Sequence, residues 1–344
     1  MKKHNDQKLV LSLLAITLVA IVFGTHFERI KIMIADRSAG LSGASAIKAT
    51  QNLVSETPVA PELTLGFVGD IMLDRSVRIR VNKNLSGDYN KLFEHAAFLK
   101  TPDITFANLE GPVSDKGRDV GSIYSFRHDP AIIPAMKNAG IDIVSFANNH
   151  VGDWSEFAFK DSIERLRAEG MLICGAGMTQ TEAETPTIIE ESGIRIGFLC
   201  FSDVGPNWLQ ASGEAPGILI ASDPHFEDIV RNAAQDVSAL VVSFHFGDEY
   251  EPVHNIRQEA LATRAVDAGA DLIVGHHPHV VQDIDHYNGA PILYSLGNFI
   301  FDQYFSPETM RGLFVTTKLV GGTFTEVTPH RTVYDQNSVV RLAE

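Results

Sequence analysis

Three histidines fall within Gly275-His-His-Pro-His279, directly after Asp271-Leu-Ile-Val274, a short apolar run that reads as a buried strand. Such a strand delivers whatever follows it to one edge of a sheet, and Gly275 and Pro278 constrain the backbone there. Neutral imidazole is the commonest transition-metal ligand, and the spacing of His277 and His279 can aim two nitrogens at one locus. The same grammar recurs along the chain. The run 63–68 ends in Gly69-Asp70, 103–107 in Asn108-Leu-Glu110, 141–147 in Asn148-Asn-His150, and 239–244 in His245.

Collected, the strand-end residues are Asp70, Glu110, Asn149, His150, His245, His277 and His279. Carboxylates, an amide and imidazoles together form a hard-to-borderline donor set. It suits a pair of Mn, Fe or Zn ions better than Ca, which takes oxygens alone, or structural Zn, which is usually thiolate-rich. In a two-metal site one carboxylate bridges the ions, and the pair activates water and holds the oxyanion. His150, beside the ligand Asn149, is then free to protonate a leaving group. Arg75 is a candidate for holding an anionic substrate, although an arginine so placed also caps or pairs. Asp248 and Glu249 either orient His245 or are solvated, and Asn298 and Asp302 either line the site or make a turn. His128, His225, His254, His286 and His330 have no strand-end context and read as ordinary.

The elements that must position these residues alternate. Helices are expected over 92–99, around 131–139 before Gly140, over 155–169 with Phe159, Ile163 and Leu166 inward, and over 256–268 with Ile256, Ala260 and Val266 inward. Strands are expected at 171–174, 194–201 and 291–295, and residues 313–328 read as a hairpin turning at Gly321-Gly322. Strands alternating with helices, followed by an antiparallel pair, predict an α/β body with a mixed sheet or two stacked sheets.

The full chain has 344 residues and a formal net charge of -15, which argues against a nucleic-acid partner held by a basic surface. An anionic substrate stays compatible, because bound cations reverse the local sign. The N-terminus is different material. Lys2, Lys3 and Lys8 precede an uncharged apolar run over 9–24, the pattern of a signal-anchor with its N-terminus inside or of an export signal. No small-x-small site closes the run, and Ala44-Ser-Ala46 comes about twenty positions late, which favours the uncleaved anchor. The expected layout is a cytoplasmic tail and anchor over 1–26, a Ser/Ala/Gly/Thr/Pro-rich linker over 27–61 and a folded domain over 62–344 outside the cytoplasm. Secretion after signal cleavage is the alternative. Cys174 and Cys200 can then pair, while their apolar surroundings equally suit free buried thiols; the sequence leaves both open.

Six ordered strings carry a family resemblance: Gly-Asp-Ile-Met-Leu-Asp-Arg (69–75), Asn-Leu-Glu-Gly-Pro (108–112), Ala-Asn-Asn-His (147–150), His-Phe-Gly-Asp-Glu-Tyr (245–250), Gly-His-His-Pro-His (275–279) and Tyr-Ser-Leu-Gly-Asn-Phe (294–299). They resemble the CapA family of capsule and poly-gamma-glutamate synthesis proteins, which is in turn similar to the calcineurin-like metallophosphatases. The resemblance implies a four-layer sandwich, two mixed β-sheets flanked by helices. It also implies a ligand set in which Asp70 is the first aspartate, Glu110 the bridging carboxylate, Asn149 and His150 the Asn-His pair, and His245, His277 and His279 the remaining imidazoles. Two positions depart from the phosphatase pattern: Met72 stands where it has a histidine, and Glu110 where it has an aspartate. The implied partners are an anionic cell-envelope polymer or its synthase complex, and the membrane. The implied function is a two-metal hydrolase of capsule assembly, a phosphoesterase, or a non-catalytic polymer-binding component on the same fold.

Overall fold

The structure, a computed structural model, describes residues 61–343. Its strands are β1 (Glu62–Ile71), β2 (Ile104–Leu109), β3 (Ile143–Ser145), β4 (Leu172–Cys174), β5 (Ala176–Gly177), β6 (Thr187–Glu191), β7 (Ile194–Ser202) and β8 (Gly217–Ile218). They continue as β9 (Ala239–His245), β10 (Leu272–His276), β11 (Ile284–Tyr287), β12 (Ala290–Leu293), β13 (Asn298–Ile300), β14 (Arg311–Val320), β15 (Thr323–Tyr334) and β16 (Val340–Leu342). The α-helices are α1 (Arg75–Asn84), α2 (Ile132–Ala139), α3 (Ser155–Ala168), α4 (Gln180–Glu184), α5 (Phe226–Ala233) and α6 (Ile256–Asp267).

Two mixed sheets form. The first runs β16-β15-β14-β1-β2-β3-β4 with β13 also on β1, and the second runs β11-β12-β10-β9-β7-β6. In the first sheet β1 to β4 are parallel, whereas β14, β15 and β16 join antiparallel. In the second, β12, β10, β9 and β7 are parallel between antiparallel edges β11 and β6. Side-chain alternation divides the core. Phe198, Val241, Leu272 and Val274 share one buried cluster with Phe67 and Phe106 of the first sheet, and Phe106 stacks on Phe198 at 5.9 Å. Their neighbours Leu199, Val242 and Ile273 turn the other way, onto Phe226 and Val230 of α5 and Leu261 and Ala265 of α6. On the far face of the first sheet Phe98 meets Phe314 at 5.0 Å, and Phe159 of α3 stacks on Phe146 at 5.7 Å.

Three local expectations are corrected. Residues 92–99 are not one helix but lie across two 3-10 turns, Tyr89–Phe93 and Ala97–Lys100, which break between Glu94 and Ala96 while still burying Leu92, Phe93 and Leu99. The inward face of α6 is Gln258, Leu261, Ala262 and Ala265, with Val266 partly buried against the same cluster as expected; Ala260 is exposed, and Ile256 is 83% exposed, being the first residue after the Asn255 cap. Strand β3 is only the centre of the run 141–147. The helix over 155–169 and the Gly321-Gly322 hairpin form as expected, with β14 and β15 extending the hairpin to Tyr334. Residues 1–60, with the expected anchor and most of the linker, lie outside the described residues. Among those described, no helix is long and apolar enough to cross a membrane.

Cys174 and Cys200 are joined in a disulfide, with their Cα atoms 5.5 Å apart. Cys174 ends β4 at the edge of the first sheet and Cys200 lies in β7 of the second, so the bond ties sheet to sheet. The loop it closes spans a sequence separation of 26, and a loop of that size stabilises by about 3 kcal/mol. Replacing both cysteines by serine should lower the unfolding free energy by that order in denaturant titration. Free thiols in the native, unreduced protein would contradict the link.

Candidate metal centre

The parallel strands bring their polar ends to one level. Asp70 of β1 pairs in register with Asn108 of β2 and with Asn298 of β13, and His245 of β9 pairs with His276 of β10. Backbone packing there leaves no room for side chains at two glycines. A Cβ at Gly69 would lie 1.9 Å from the Gly297 carbonyl oxygen, and one at Gly275 2.0 Å from that of Tyr294. The loop after β10 is wound tightly, with His277 at φ 99° and His279 at φ 58°, left-handed conformations that side chains other than glycine seldom adopt. Strain of this kind persists where the surrounding structure over-determines it, commonly at functional sites.

Asp70 and Glu110 are both fully buried. Asp70 accepts from Asn108 Nδ2 at 2.8 Å and from the His277 amide at 3.3 Å, and it lies 3.2 Å from His276 Nδ1 and 3.3 Å from His279 Nδ1. Burial pushes its pKa up, but the hydrogen bonds and charges of His276 and His279 hold it well below the usual carboxylate range. Glu110 has no such escort. Burial raises its pKa well above normal, against the pull of His279 and with the added repulsion of Asp70. Its Oε1 has no hydrogen-bond partner, and His279 Nε2 and His150 Nε2 stand 3.7 and 3.8 Å from it.

The imidazoles are presented as ligands. His279 Nδ1 lies 3.0 Å from Asn298 Oδ1, and Asn298 is itself held by its amide to Thr309 and Gln303; this leaves His279 Nε2 free. Burial lowers the pKa of His279, but Glu110 and Asp70 outweigh it and push the value up to about 9. Burial, then the charge of His279, drives His277 down to about 3. Burial, then His277, likewise depresses His245 well below normal, so both stay in the neutral, metal-binding form. His245 Nε2 meets Asn149 Oδ1 at 2.9 Å, and the His245 and His277 rings are 4.8 Å apart.

The donors fit metal. Asp70, Glu110 and His279 offer ligand atoms within 4.8 Å of one another, as do Glu249, His277 and His279, so His279 is common to two groups. Glu110 Oε1 and His277 Nδ1 are buried here without a hydrogen-bond partner. Asp70, Glu110, Asn149, His245, His277 and His279 are thus drawn together as a set. His150 stands beside them with its Nδ1 2.7 Å from Asp153 Oδ2, under the Phe126 ring at 4.0 Å. Arg75 pairs with Asp302 in a two-pronged contact at 2.9 and 3.0 Å; its guanidinium is partly exposed and lies over Phe126, the ring that also covers His150.

Several participants escaped the sequence. Asn108 sits two residues before Glu110 and bridges both carboxylates, a role visible only from its register opposite Asp70. His276 belongs to the strand itself, and Asp153 follows His150 at a turn spacing that could have flagged it. Asp248 bonds Asn255 rather than His245, and Glu249 is exposed beside His277 and His279. His128 is not ordinary. It is fully buried, accepts the Leu73 N–H at Nδ1 (3.1 Å), and its Nε2 lies 2.8 Å from the Glu110 carbonyl. A backbone N–H can only donate, so Nε2 carries the proton, and burial lowers the pKa to about 4 against the pull of Asp74. The residue straps the end of β1 to the backbone of Glu110, in a segment without periodicity where only tertiary structure reveals it.

Residues 64–303 match the family described as bacterial capsule synthesis protein PGA_cap, and the chain belongs to that family. It is 33% identical over 245 residues to the PGA biosynthesis protein CapA of Bacillus subtilis (strain 168), covering 70% of this chain and 64% of that one. It is 36% identical over 253 residues to the capsule biosynthesis protein CapA of Bacillus anthracis, covering 70% and 60%. The chain thus spans under two thirds of the length of these relatives. Among solved structures it is similar to a novel phosphatase from Mycoplasma pneumoniae (TM-score 0.48, 13% identity, 80% of this chain and 94% of that one). It is also similar to the calcineurin-like phosphoesterase YfkN of Bacillus subtilis (TM-score 0.43, 14% identity, 80% and 91%).

Replacing His128 by alanine leaves the buried Leu73 N–H and Glu110 carbonyl unpaired, at about 1–3 kcal/mol for an orphaned group. Chemical denaturation should register that loss; an unchanged midpoint would show that the strap carries nothing.

Proposed function

We propose that this protein serves the synthesis or export of an anionic capsular polymer of the poly-gamma-glutamate type, and that its strand-end site is a divalent-metal hydrolase centre. The observation that carries the reading is the buried, unpartnered Glu110 Oε1 among convergent imidazoles. The names of the relatives, which concern PGA and capsule biosynthesis, support the polymer. Asp70, Glu110, Asn149, His245, His277 and His279 would hold Mn, Fe or Zn, two ions in the fullest form, and Glu249 would join His277 and His279 in one of the groups. Bound metal supplies an activated water and charge stabilisation for the developing oxyanion.

The remaining chemistry is done by the chain. Asp153, itself fixed by Ser122 and by the Phe126 amide, accepts from His150 Nδ1 and so turns Nε2 towards the Glu110 side of the site. Nε2 then donates a proton to the departing oxygen or nitrogen of a phosphoester or polymer ester or amide. Arg75, locked by Asp302, shapes the rim and offers its exposed edge to an anionic group. A non-catalytic reading is favoured by one observation: buried Met72 turns its sulfur to the Asp74 amide at 3.2 Å, where the phosphatase pattern has a ligand. Against it, His276 stands 3.2 Å from Asp70 and keeps an imidazole beside that carboxylate.

Two outcomes test this reading. His150→Ala should retain metal yet lose on the order of 10²–10⁴ in rate on an alkyl phosphoester, and far less on an activated aryl ester that hardly needs protonation. Equal losses on both substrates, or loss of metal from the variant, would falsify the assignment, and a metal-loaded protein inert to both favours the binding role. For placement, we propose an uncleaved anchor with residues 1–8 in the cytoplasm and Pro61 onward outside, on the strength of Lys2, Lys3 and Lys8 before the apolar run. N-terminal sequencing that begins near residue 25 or 47 would overturn it.

A further inference from the structure

Beside the metal centre a groove of about 750 Å³ opens, lined among others by Tyr250, Val281, Arg311, Arg331 and Arg341. Tyr250 lies 6.2 Å from His279 ring to ring, and Val281 follows His279 by two residues, so the groove begins at the site's own wall. The arginines come from three adjacent antiparallel strands. Arg311 of β14 and Arg341 of β16 both pair with Val333 of β15, and Arg331 pairs with Leu313 in the next row of the same face. Strand spacing puts Arg311 and Arg341 about 10 Å apart at their backbones, with Arg331 offset between them.

All three are exposed, and among the described residues none makes an ion pair. Arg341 donates only to the Leu342 carbonyl, at 3.3 Å, and Glu308 is the acidic residue of the groove. On a chain of net charge -15, three guanidinium groups on one face, without an ion pair among the described residues and with Glu308 beside Arg311, are a local reversal of sign. Each fork matches a carboxylate in two-pronged geometry. Set on adjacent strands, the three forks can each take a separate carboxylate of a chain that carries them repeatedly.

We infer that Arg311, Arg331 and Arg341 form a binding track for a polycarboxylate chain, leading it past Tyr250 to the metal centre. The inference rests on the polymer reading above and adds the place where the polymer lies. Its test is fluorescence anisotropy of labelled poly-gamma-glutamate oligomers with the detergent-solubilised full chain, titrated against salt. The triple variant R311Q/R331Q/R341Q should bind at least tenfold more weakly and with a shallower salt dependence. K318Q serves as the control: it removes a cation from the same strand, but one paired with Glu62 and Glu326 away from the groove. It should leave binding unchanged. Wild-type binding that the triple variant does not weaken, or that K318Q weakens as much, overturns the track alone. Wild-type protein that does not bind the oligomers overturns the track and the polymer reading together. Tighter binding of polyphosphate than of poly-gamma-glutamate would overturn the carboxylate assignment.

Discussion

Two carboxylates buried side by side impose the constraint on which the rest of this structure depends. Asp70 and Glu110 have no exposure to water, and an ionised carboxylate without compensation is among the most costly groups to bury. Asp70 is compensated within the protein by Asn108, by the His277 amide and by two imidazoles. Glu110 is compensated less: Asn108 reaches its Oε2 only at 3.4 Å, and its Oε1 has no hydrogen-bond partner, with His279 Nε2 and His150 Nε2 standing 3.7 and 3.8 Å away. A divalent cation would partner that oxygen, and neutral His245 and His277 would offer nitrogen without competing for protons.

The fold can be understood as the means of enforcing that juxtaposition. Parallel β1 and β2 bring Asp70 level with Asn108, and parallel β9 and β10 bring His245 level with His276 in the other sheet. The Phe106–Phe198 stack and the Cys174–Cys200 link then hold the two sheets together, so that the strand ends converge. Around them sits a shell that permits little movement: His128 on the Glu110 backbone, Asn298 on His279, and Asp153 on His150. The left-handed turns at His277 and His279 are the conformational cost of pointing both rings at one locus.

Much of this was legible because buried strands write their ends plainly. An apolar run followed at once by Asp, Glu, Asn or His was enough to collect Asp70, Glu110, Asn149, His150, His245, His277 and His279, and the structure gathers all of them. Recognition of the family followed from the same strings, and the match over residues 64–303 bears it out. What stayed hidden depends on pairing rather than pattern. Asn108 gains its role from register and His128 from a loop with no periodicity, whereas Asn298, open in the sequence between lining the site and making a turn, is set beside His279 by the parallel contact between β13 and β1. The inward face of α6 was misjudged because Ile256, apolar but first in the helix, points outward, whereas buried Gln258 is needed for its bond to Gln282.

The central claim is that Glu110 is the carboxylate whose charge a bound metal completes. Isothermal titration of the purified, chelator-treated protein with Mn²⁺ and Zn²⁺, set beside its Glu110→Gln variant, tests this most directly. The account predicts stoichiometric binding to the wild type, and loss of at least one site or a large fall in affinity in Glu110→Gln, with the fold intact by circular dichroism. Equal metal binding by both proteins, or none by the wild type, would contradict it.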